Sequence, residues 1–577
     1  MRSLRPASVL VMSALVALPL HAAAAPASTD PLKRPRIGLV LAGGGAKGGA
    51  HVGVLKVIEE LRIPVDCIAG TSMGALIGAG YASGQPAAEL DEFLTGIDWS
   101  TVIGGKGRRV LEPVEQKRFA TEASTPVELG FQNRQIVTPA GLTDSSAIDD
   151  LLRTYVARAR MVPDFDDLPI PFRAIATDMV TGNMVVLDHG DLASAMRASM
   201  AIPGAFSPVI GEGYILADGG MVRNIPVDVA RETCADIVIV VNLVEPPTPP
   251  ERLVQATQLL ARSMEVMLEA NEKIQLDSLT ERDIRIDVPM GDIGTADFQR
   301  VPETIPLGEA AARLAADRLA TLSVPEAQYM AWRQQITTHQ AMEGTIAKVR
   351  IEGLERVNPE YVRSFTQIRP GDTVDIDAVS ADAKRMSALE DIDTVAYRLA
   401  VEDGQKTLIW LPKEISIGAS VLRPSVGFFA DGGGDLKFLL GVQHVHRWLN
   451  DRGGQWRNNV QLGYESIFST SLYQPLDVAQ RFFVEPGLLA SRTAEDLYDD
   501  GDRVAAYRFL DYGGRIDFGW NLSSAAQLRV GYMATQREAK LTTGELQLPE
   551  DSLLDAGLTV SARYDSRSAA TFATSGI

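Results

Sequence analysis

The sequence contains only two cysteines and six histidines among 577 residues. This scarcity excludes a disulfide-rich scaffold, and no group of cysteines and histidines has the spacing of a zinc site. Cys67 and Cys234 both lie in apolar, strand-like segments, so we expect two buried free thiols rather than one disulfide. We also expect neither a metal nor a cofactor.

Positive charge is scarce as well, with 55 Lys and Arg against 74 Asp and Glu and a net charge of −19. A general nucleic-acid binder carries a basic field, so this class is excluded and no nucleic acid is expected as a partner. Beyond the N-terminus no uninterrupted run of ~18 apolar residues occurs, which excludes a later membrane-spanning helix.

The N-terminus has the three-part layout of a secretory signal. Arg2 and Arg5 come first, an apolar stretch follows from Ala7 to Leu20, and small residues occupy Ala22–Ala27. The apolar stretch is too short for a stable membrane span. We therefore expect residues 1–27 to be a signal peptide and the protein to be exported, with an interfacial helix as the alternative.

Residues 28–335 alternate short apolar strands with helical segments. Apolar strands separated by helices are typical of a parallel sheet covered on both faces, so we expect an α/β domain. The candidate strands are Ile37–Ala42, Val65–Ala69, Phe172–Thr177, Met184–Leu187 and Ile237–Leu243, and the candidate helices are Ala50–Leu61, Ser72–Ser83, Ser145–Arg158 and Leu253–Ile274.

Two further regions have different periodicities. Residues 345–413 read as strand, helix, helix, strand and strand, which predicts a small α+β module. Residues 416–577 have a period of two, as in "WRNNVQLGY" and "RIDFGWNL". This period predicts an antiparallel transmembrane β-barrel, with a soluble sandwich as the alternative. We count eight or nine strands and no closing strand before "FATSGI", so we expect an incomplete barrel in a truncated chain.

A glycine cluster follows the first apolar strand, in "IGLVLAGGGAKGGAHVGVL". Gly43, Gly45 and Gly48 fit the G-x-G-x-x-G spacing of a dinucleotide-binding turn. That function requires a carboxylate at the end of the next strand, whereas "VDCIAG" ends without one. A P-loop requires Lys-Ser or Lys-Thr where Gly49 and Ala50 stand. Both phosphate-binding interpretations are therefore rejected.

The second strand leads into Gly70-Thr71-Ser72-Met73-Gly74, a G-x-S-x-G. In a sharp strand-to-helix turn this pattern exposes the serine, and the glycines on both sides allow close backbone approach. An apolar strand precedes the motif and a helix of small residues follows it. We therefore interpret Ser72 as a nucleophile rather than as a capping serine.

A serine nucleophile requires a base. None of the histidines occupies the late position expected in a Ser-His-Asp triad, since His51 follows the glycine cluster and His189 lies in an early loop. A carboxylate must then act directly, with its pKa raised by partial burial. Asp218 in "GYILADGGMVRNIPV" is the candidate, with an Asp-Gly hairpin turn as the alternative. Asp178 competes, although we expect it to serve a structural turn.

The glycine cluster can supply oxyanion donors. Backbone N–H groups of Gly43–Gly45 are unobstructed by side chains. Lys47 either adds positive charge near an anionic head group or is a solvated lysine at a helix start. The segment 100–138 mixes apolar residues with basic ones such as Arg109, Lys117 and Arg118, which favours either a membrane-touching lid or a solvated loop.

Four blocks, "AGGGAKG", "GTSMG", "AMRASMAIPGAFSPV" and "DGGMVRNIPV", occur in this order within residues 36–243. They resemble the signature blocks of patatin-like phospholipases, which are lipid acyl hydrolases with a Ser-Asp dyad. The first block departs from plant patatins, which have an acid and an arginine where this chain has Ala42 and Lys47. The resemblance implies Ser72 as the nucleophile, Asp218 as its base, Gly43, Gly44 and Gly45 as oxyanion donors, and Lys47, Gly48, Gly70, Gly74, Gly219 and Gly220 as supporting motif residues.

Residues 345–577 resemble a POTRA module followed by an Omp85-like surface-antigen barrel. The whole order is similar to patatin-like autotransporters of type V secretion, subtype d. The resemblance implies a phospholipid or membrane substrate and an outer-membrane location, with the α/β domain at the cell surface or secreted. It leaves a homo-oligomer open. The alternatives are a translocation or assembly factor whose first domain only binds, and a peptidase or thioesterase with the same dyad.

Overall fold

A computed structural model describes residues 34–577 with the exception of 105–107, 122–127, 139–145, 160–161, 212, 247–248, 338–344, 374, 403, 431–435, 500–501, 545–550 and 569–574. The predicted signal peptide, residues 1–27, lies outside the described residues. None of the helices among the described residues combines the length and the apolar character needed to cross a membrane.

Among its described residues the first domain contains ten strands and thirteen α-helices. The strands are β1 (Ile37–Leu41), β2 (Cys67–Thr71), β3 (Leu129–Gln132), β4 (Gln135–Val137), β5 (Phe172–Asp178), β6 (Met184–Leu187), β7 (Val209–Gly211), β8 (Tyr214–Asp218), β9 (Ile237–Val244) and β10 (Ile284–Pro289). The helices are α1 (Ala50–Glu60), α2 (Met73–Ala82), α3 (Ala87–Gly96), α4 (Trp99–Gly104), α5 (Val114–Thr121), α6 (Ser146–Tyr155), α7 (Leu192–Ser199), α8 (Gly220–Arg223), α9 (Val227–Thr233), α10 (Ala256–Asp277), α11 (Val301–Leu314), α12 (Ala316–Leu319) and α13 (Glu326–Thr337).

Eight of these strands form one sheet in the order β10-β9-β1-β2-β5-β8-β7, with β6 also paired to β5. The strands β10, β9, β1, β2 and β5 run parallel, whereas β8 and β6 run antiparallel to β5. Helices cover the sheet, and β1 and β2 are buried along their whole length, as all-apolar strands require. The predicted α/β domain is confirmed, with an antiparallel edge that the apolar pattern did not reveal.

The prediction of two free thiols is wrong, because Cys67 and Cys234 form a disulfide. Cys67 begins β2, and Cys234 follows α9, which packs against β1 and β2. The pairing therefore depends on tertiary packing between segments that are 167 residues apart.

The second region, residues 345–413, is a small α+β module. It contains β11 (Ile346–Ile351), α14 (Pro359–Arg363), α15 (Ile376–Ser387), β12 (Ile392–Glu402) and β13 (Gln405–Glu414). The sheet order is β11-β13-β12, with β11 parallel and β12 antiparallel to β13. The predicted order of strands and helices is confirmed.

The third region is an antiparallel meander of eight strands: β14 (Ser420–Ala430), β15 (Leu436–His446), β16 (Gln455–Gly463), β17 (Glu465–Pro475), β18 (Phe482–Asp499), β19 (Asp502–Asn521), β20 (Ala526–Gly544) and β21 (Asp551–Tyr564). The hairpin β3–β4 of the first domain extends this sheet beyond β14. Among the described residues the strand order is an open path from β21 to β4.

The period of two in this sheet separates apolar from charged side chains. Trp456, Ile516 and Phe518 are about half exposed, whereas Arg457 and Asp517 are buried. The apolar side chains therefore lie on the exposed face, called the outer face below, and the charged side chains on the buried, inner face. This is the reverse of a water-soluble sandwich and is typical of a sheet that faces lipid.

The disulfide is expected to stabilise the α/β domain. Its removal in the Cys67→Ala/Cys234→Ala variant releases a loop of 167 residues in the unfolded chain. Loss of a native disulfide typically costs roughly 2–5 kcal/mol, which corresponds to about 3–8 °C in the unfolding midpoint of a domain of about 300 residues. Thermal unfolding followed by circular dichroism should show this decrease. Reductant should lower the unfolding midpoint of the wild-type protein and leave that of the variant unchanged. Equal midpoints of the two proteins without reductant would contradict the expectation.

Candidate active site

A sharp turn joins β2 to α2 at Ser72. Ser72 has φ 53° and ψ −123°, in a region that residues other than glycine seldom adopt. The backbone N–H of Ser72 donates a hydrogen bond to the Oγ of Ser199, the last residue of α7, at 2.9 Å. This contact stabilises the strained backbone, and the Ser72 side chain lines an adjoining cavity.

The glycines of the G-x-S-x-G motif make this turn possible. A Cβ at Gly70 would lie 2.5 Å from the carbonyl oxygen of Gly74, and a Cβ at Gly74 would collide with the carbonyl of Leu41 in β1. The start of α2 therefore packs directly against β1. As a result Ser72 lies beside Gly43, where an added Cβ would be 3.2 Å from the Ser72 Cβ.

Asp218 is the last residue of β8 and is buried. Its Oδ1 accepts a hydrogen bond of 2.8 Å from the backbone N–H of Gly220. Its Oδ2 is also buried, and none of the described residues donates a hydrogen bond of ordinary distance and angle to it. Burial raises the pKa of the Asp218 carboxyl to about 6, while a weaker interaction with the Ser72 hydroxyl acts in the opposite direction. The structure thus brings Ser72 and Asp218 together.

Three further motif glycines are positions of close contact. A Cβ at Gly48 would collide with the side chain of Met73, and a Cβ at Gly219 would collide with the carbonyl of Ile175 in β5. A Cβ at Gly220 would lie 3.0 Å from the Asp218 Oδ1. These glycines let the two motif turns approach their neighbours.

The glycine cluster passes from β1 into a 3-10 helix at Gly45–Gly49. The N–H of Gly43 already donates to the carbonyl oxygen of Asn224, at 3.2 Å. Among the described residues the N–H groups of Gly44 and Gly45 have no acceptor, and both glycines line the cavity with Ser72. Gly45 has φ 54°, and a Cβ there would collide with the Thr295 carbonyl. The geometry therefore provides two free donors and does not support Gly43 as a third.

Lys47 is not a solvated lysine, while its place near an anionic head group stays a prediction. Its side chain is buried and its Nζ forms an ion pair with Glu245. Both residues line the cavity. The positive charge is therefore matched by a carboxylate of the same wall.

The environments of His51, His189 and Asp178 do not suit these residues to act as the catalytic base. His51 is fully buried, its Nε2 lies 2.8 Å from the carbonyl oxygen of Ala42, and burial lowers its pKa to about 4. His189 is exposed and contacts Asp188. Asp178 accepts hydrogen bonds from Val180, Thr181 and Ile215, which lower its pKa and fix a turn, as predicted.

Three residues at this site were not singled out from the sequence. Ser199 binds the Ser72 N–H, as described above. Asn224 donates through Nδ2 to the carbonyl oxygen of Gly43 at 3.4 Å and to Glu272 Oε1 at 2.5 Å. Ser199 and Asn224 lie within two of the sequence blocks quoted above, whereas Glu272, on α10, carries no local sequence signal. Burial raises the pKa of Glu272.

The cavity has a volume of about 500 Å³ and opens to solvent. Ser72, Asp218 and Gly43–Gly45 line it. The apolar part of its wall consists of Ile202, Pro203, Met221, Leu243, Val244, Leu268 and Leu276, and the charged part includes Lys47, Glu245, Glu269, Glu272 and Lys273. The site thus combines a polar reaction centre with apolar surface that can accommodate an acyl chain.

A serine in a strained strand-to-helix turn beside a buried carboxylate defines a nucleophile-elbow α/β domain. Residues 39–231 match the model of the family described as Patatin-like phospholipase. The chain therefore carries a patatin-like phospholipase domain.

Curated relatives match about a third of the chain. An uncharacterized NTE family protein of Mycobacterium tuberculosis is 33% identical over 210 residues, which are 36% of this chain and 49% of that protein. Patatin-like phospholipase domain-containing protein 6 of Homo sapiens is 32% identical over 209 residues, 36% of this chain and 13% of that protein. The match thus spans half or less of the length of these relatives.

Two solved structures show weaker likeness. VipD from Legionella pneumophila matches with a TM-score of 0.29 and 16% identity, over 49% of this chain and 67% of that one. BamA from Haemophilus ducreyi matches with a TM-score of 0.32 and 16% identity, over 40% of this chain and 46% of that one. TM-scores at this level do not establish a shared overall fold.

The raised pKa of Asp218 predicts a stability effect with a definite sign. Its carboxyl has a pKa of about 6 in the folded protein against 3.8 as a free group, so ionisation above pH 6 costs the fold about 3 kcal/mol. Asp218→Asn is therefore expected to raise the unfolding midpoint at pH 7.5 and to have little effect near pH 4. Thermal unfolding at both pH values measures this difference.

Asp178→Asn is the control with the opposite sign. The pKa of Asp178 is lowered by hydrogen bonds, so its ionised form stabilises the fold near neutral pH and this contribution is lost on acidification. The Asn variant should lower the midpoint at pH 7.5. A decrease for Asp218→Asn at pH 7.5 would contradict the burial of an ionised carboxylate.

Proposed function

We propose that this protein is an exported serine acyl hydrolase that cleaves ester bonds of phospholipids through the dyad of Ser72 and Asp218. The observation that carries the proposal is the pairing of a strained, cavity-lining serine with a buried carboxylate whose pKa is about 6. A base with this pKa is ionised at neutral pH and accepts a proton far better than a free aspartate does. The patatin-like domain supports a lipid as the substrate class.

The geometry supports a two-step reaction. The Ser72 Oγ attacks the ester carbonyl while Asp218 accepts the hydroxyl proton. The negative charge that develops on the carbonyl oxygen is stabilised by the free N–H groups of Gly44 and Gly45. Asp218 then donates the proton to the departing alcohol, which leaves an acyl group on Ser72. Asp218 then takes a proton from a water molecule that attacks this ester, and returns the proton to the Ser72 Oγ as the fatty acid leaves.

The cavity wall suits a lipid better than a peptide or a small thioester. Its apolar residues lie next to the reaction centre, where an acyl chain would have to pack. We therefore infer a phospholipase A type of activity, in which the bond to one fatty acid is cut. The head group contacts would come from the charged side of the cavity.

We also propose that the third region anchors the enzyme in the outer membrane as an Omp85-like barrel, with residues 345–413 as a POTRA-like module. The outward apolar face and inward charged face of β14–β21 support this assignment. The Cys67–Cys234 disulfide supports an oxidising compartment and hence export. The enzymatic domain would then act at the cell surface.

Hydrolysis of phospholipid vesicles tests the dyad. Ser72→Ala is expected to lower the rate of fatty-acid release at least 10³-fold, and Asp218→Asn by about 10²–10⁴-fold, because each removes one half of the proton transfer. Wild-type kcat/KM should fall about tenfold per pH unit below an apparent pKa near 6. Full activity of either variant, or an acid limb near pH 4, would contradict the assignment.

Ser199 is expected to position the nucleophile. Ser199→Ala removes the acceptor of the Ser72 N–H without changing volume much, so kcat should fall about 10–100-fold with KM nearly unchanged. Ser83→Ala is the matched control, since Ser83 is equally buried and donates to Ala79 within α2. Equal activities of the two variants would show that the Ser199 contact does not matter.

A further inference from the structure

Part of the first domain leaves the α/β sheet and contacts the inner face of the third region. This part, residues 108–137 with a gap at 122–127, is called the insert below. It contains α5 and the β3–β4 hairpin. The insert includes Arg109, Lys117 and Arg118, for which the sequence favoured a lid or a solvated loop; all three are buried. Neither interpretation fits these three side chains, which have a different use.

Glu115 of α5 is the centre of a buried ionic cluster. Its carboxylate pairs with Arg118 at 2.7 Å and with Arg529 of β20 at 2.6 Å, and it also pairs with Arg457 of β16. Glu485 of β18 pairs with Arg529 at 2.7 Å. Glu115 therefore bridges two arginines that belong to different strands of the sheet. Withdrawing it would leave these buried guanidinium groups with less countercharge.

Two further basic residues of the insert are bound at the end of the sheet. The Nζ of Lys117 donates to the carbonyl oxygens of Ser524 and Asp565 at 3.0 and 3.2 Å. Arg109 forms an ion pair of 2.7 Å with the Asp565 carboxylate. Both side chains are buried. The insert thus satisfies charges and carbonyls that would otherwise be exposed on this polar face.

The hairpin adds contacts of a different kind. Strand β3 pairs antiparallel with β14 through Leu129 opposite Leu422 and Gly130 opposite Val421. Phe119 of α5 lies between the guanidinium groups of Arg423 and Arg457, 5.0 Å from each. Backbone pairing, ion pairs and aromatic contacts therefore all join the insert to the same sheet.

We propose that the insert is a non-covalent anchor that retains the catalytic domain on the inner face of the β14–β21 sheet, so that the domain stays bound after the chain between them is cut. The occupant of this polar face is thus a segment of the same chain. Retention does not depend on catalysis by Ser72, because the contacts of the insert involve neither Ser72 nor Asp218. The first domain also contacts the second region, where the Ser380 hydroxyl donates to the Asp150 carboxylate at 2.6 Å, so the Glu115 variants measure the share that the insert contributes.

Cysteine cross-linking tests the position of the hairpin. The full chain, purified in detergent with a C-terminal tag, carries a specific protease site within residues 338–344 and the pair Leu129→Cys/Leu422→Cys. Directly opposed residues of antiparallel strands lie within disulfide range. After cleavage the two fragments should migrate together on a non-reducing gel and separately after reduction. The native disulfide does not interfere, since Cys67 and Cys234 lie on the same fragment.

Gln135→Cys/Leu422→Cys is the matched control, because Gln135 lies on β4, which pairs with β3 and not with β14. This pair should not cross-link. Failure of the first pair to link, or equal linking of both pairs, would overturn the proposed placement.

Charge reversal tests retention itself. In the cleaved protein without added cysteines, the catalytic fragment should stay with the tagged fragment through washing, and Glu115→Lys should release at least tenfold more of it. Glu115→Gln, which keeps the shape of the side chain, should release an intermediate amount. Glu89→Lys is the control, since Glu89 is exposed and pairs with Arg158 of the same domain. Release of the wild-type fragment, or retention of Glu115→Lys at the wild-type level, would overturn the proposal.

Discussion

The close packing of the β2–α2 turn against β1 is the constraint on which the site depends. Gly74 lies against the carbonyl of Leu41 so closely that no side chain fits there. This contact forces the turn at Ser72 into a positive φ and brings the serine next to the glycine cluster that follows β1. The positions of the proposed nucleophile and of the proposed oxyanion donors therefore both depend on one backbone contact beside adjacent parallel strands.

Burial raises the pKa of the Asp218 carboxyl and so makes its carboxylate a stronger base. Asp218 is the last residue of a strand in the antiparallel part of the sheet. Among the described residues, only the N–H of Gly220 donates a hydrogen bond of ordinary distance and angle to its carboxylate. A carboxylate that accepted several such bonds would be a poor base, because they would lower its pKa, as they do for Asp178. The same residue type thus serves two purposes: Asp178 stabilises a turn, and Asp218, the proposed base, has a raised pKa at a cost in stability.

The parts of the structure that local sequence determines could be predicted. The apolar strands β1, β2, β5, β6 and β9 were predicted within a few residues, as was the turn at Ser72, because periodicity and glycine spacing act over short distances. The disulfide, the contact of Asn224 with Glu272 and the pairing of β3 with β14 join segments that are distant in the chain. The burial of Lys117 and Arg118 could not be predicted, because basic residues in a loop are usually solvated and the sequence does not show that the insert packs against the β14–β21 sheet.

Mapping of a covalent adduct tests the central claim, that Ser72 is the nucleophile and Asp218 its base. The full-length protein would be treated with a fluorophosphonate probe at a series of pH values, digested, and the modified residue identified by mass spectrometry. The account predicts an adduct on Ser72 alone, forming at a rate that rises through pH 6 as Asp218 ionises. Folded protein that forms no adduct, or one that is modified at a different serine, would contradict it.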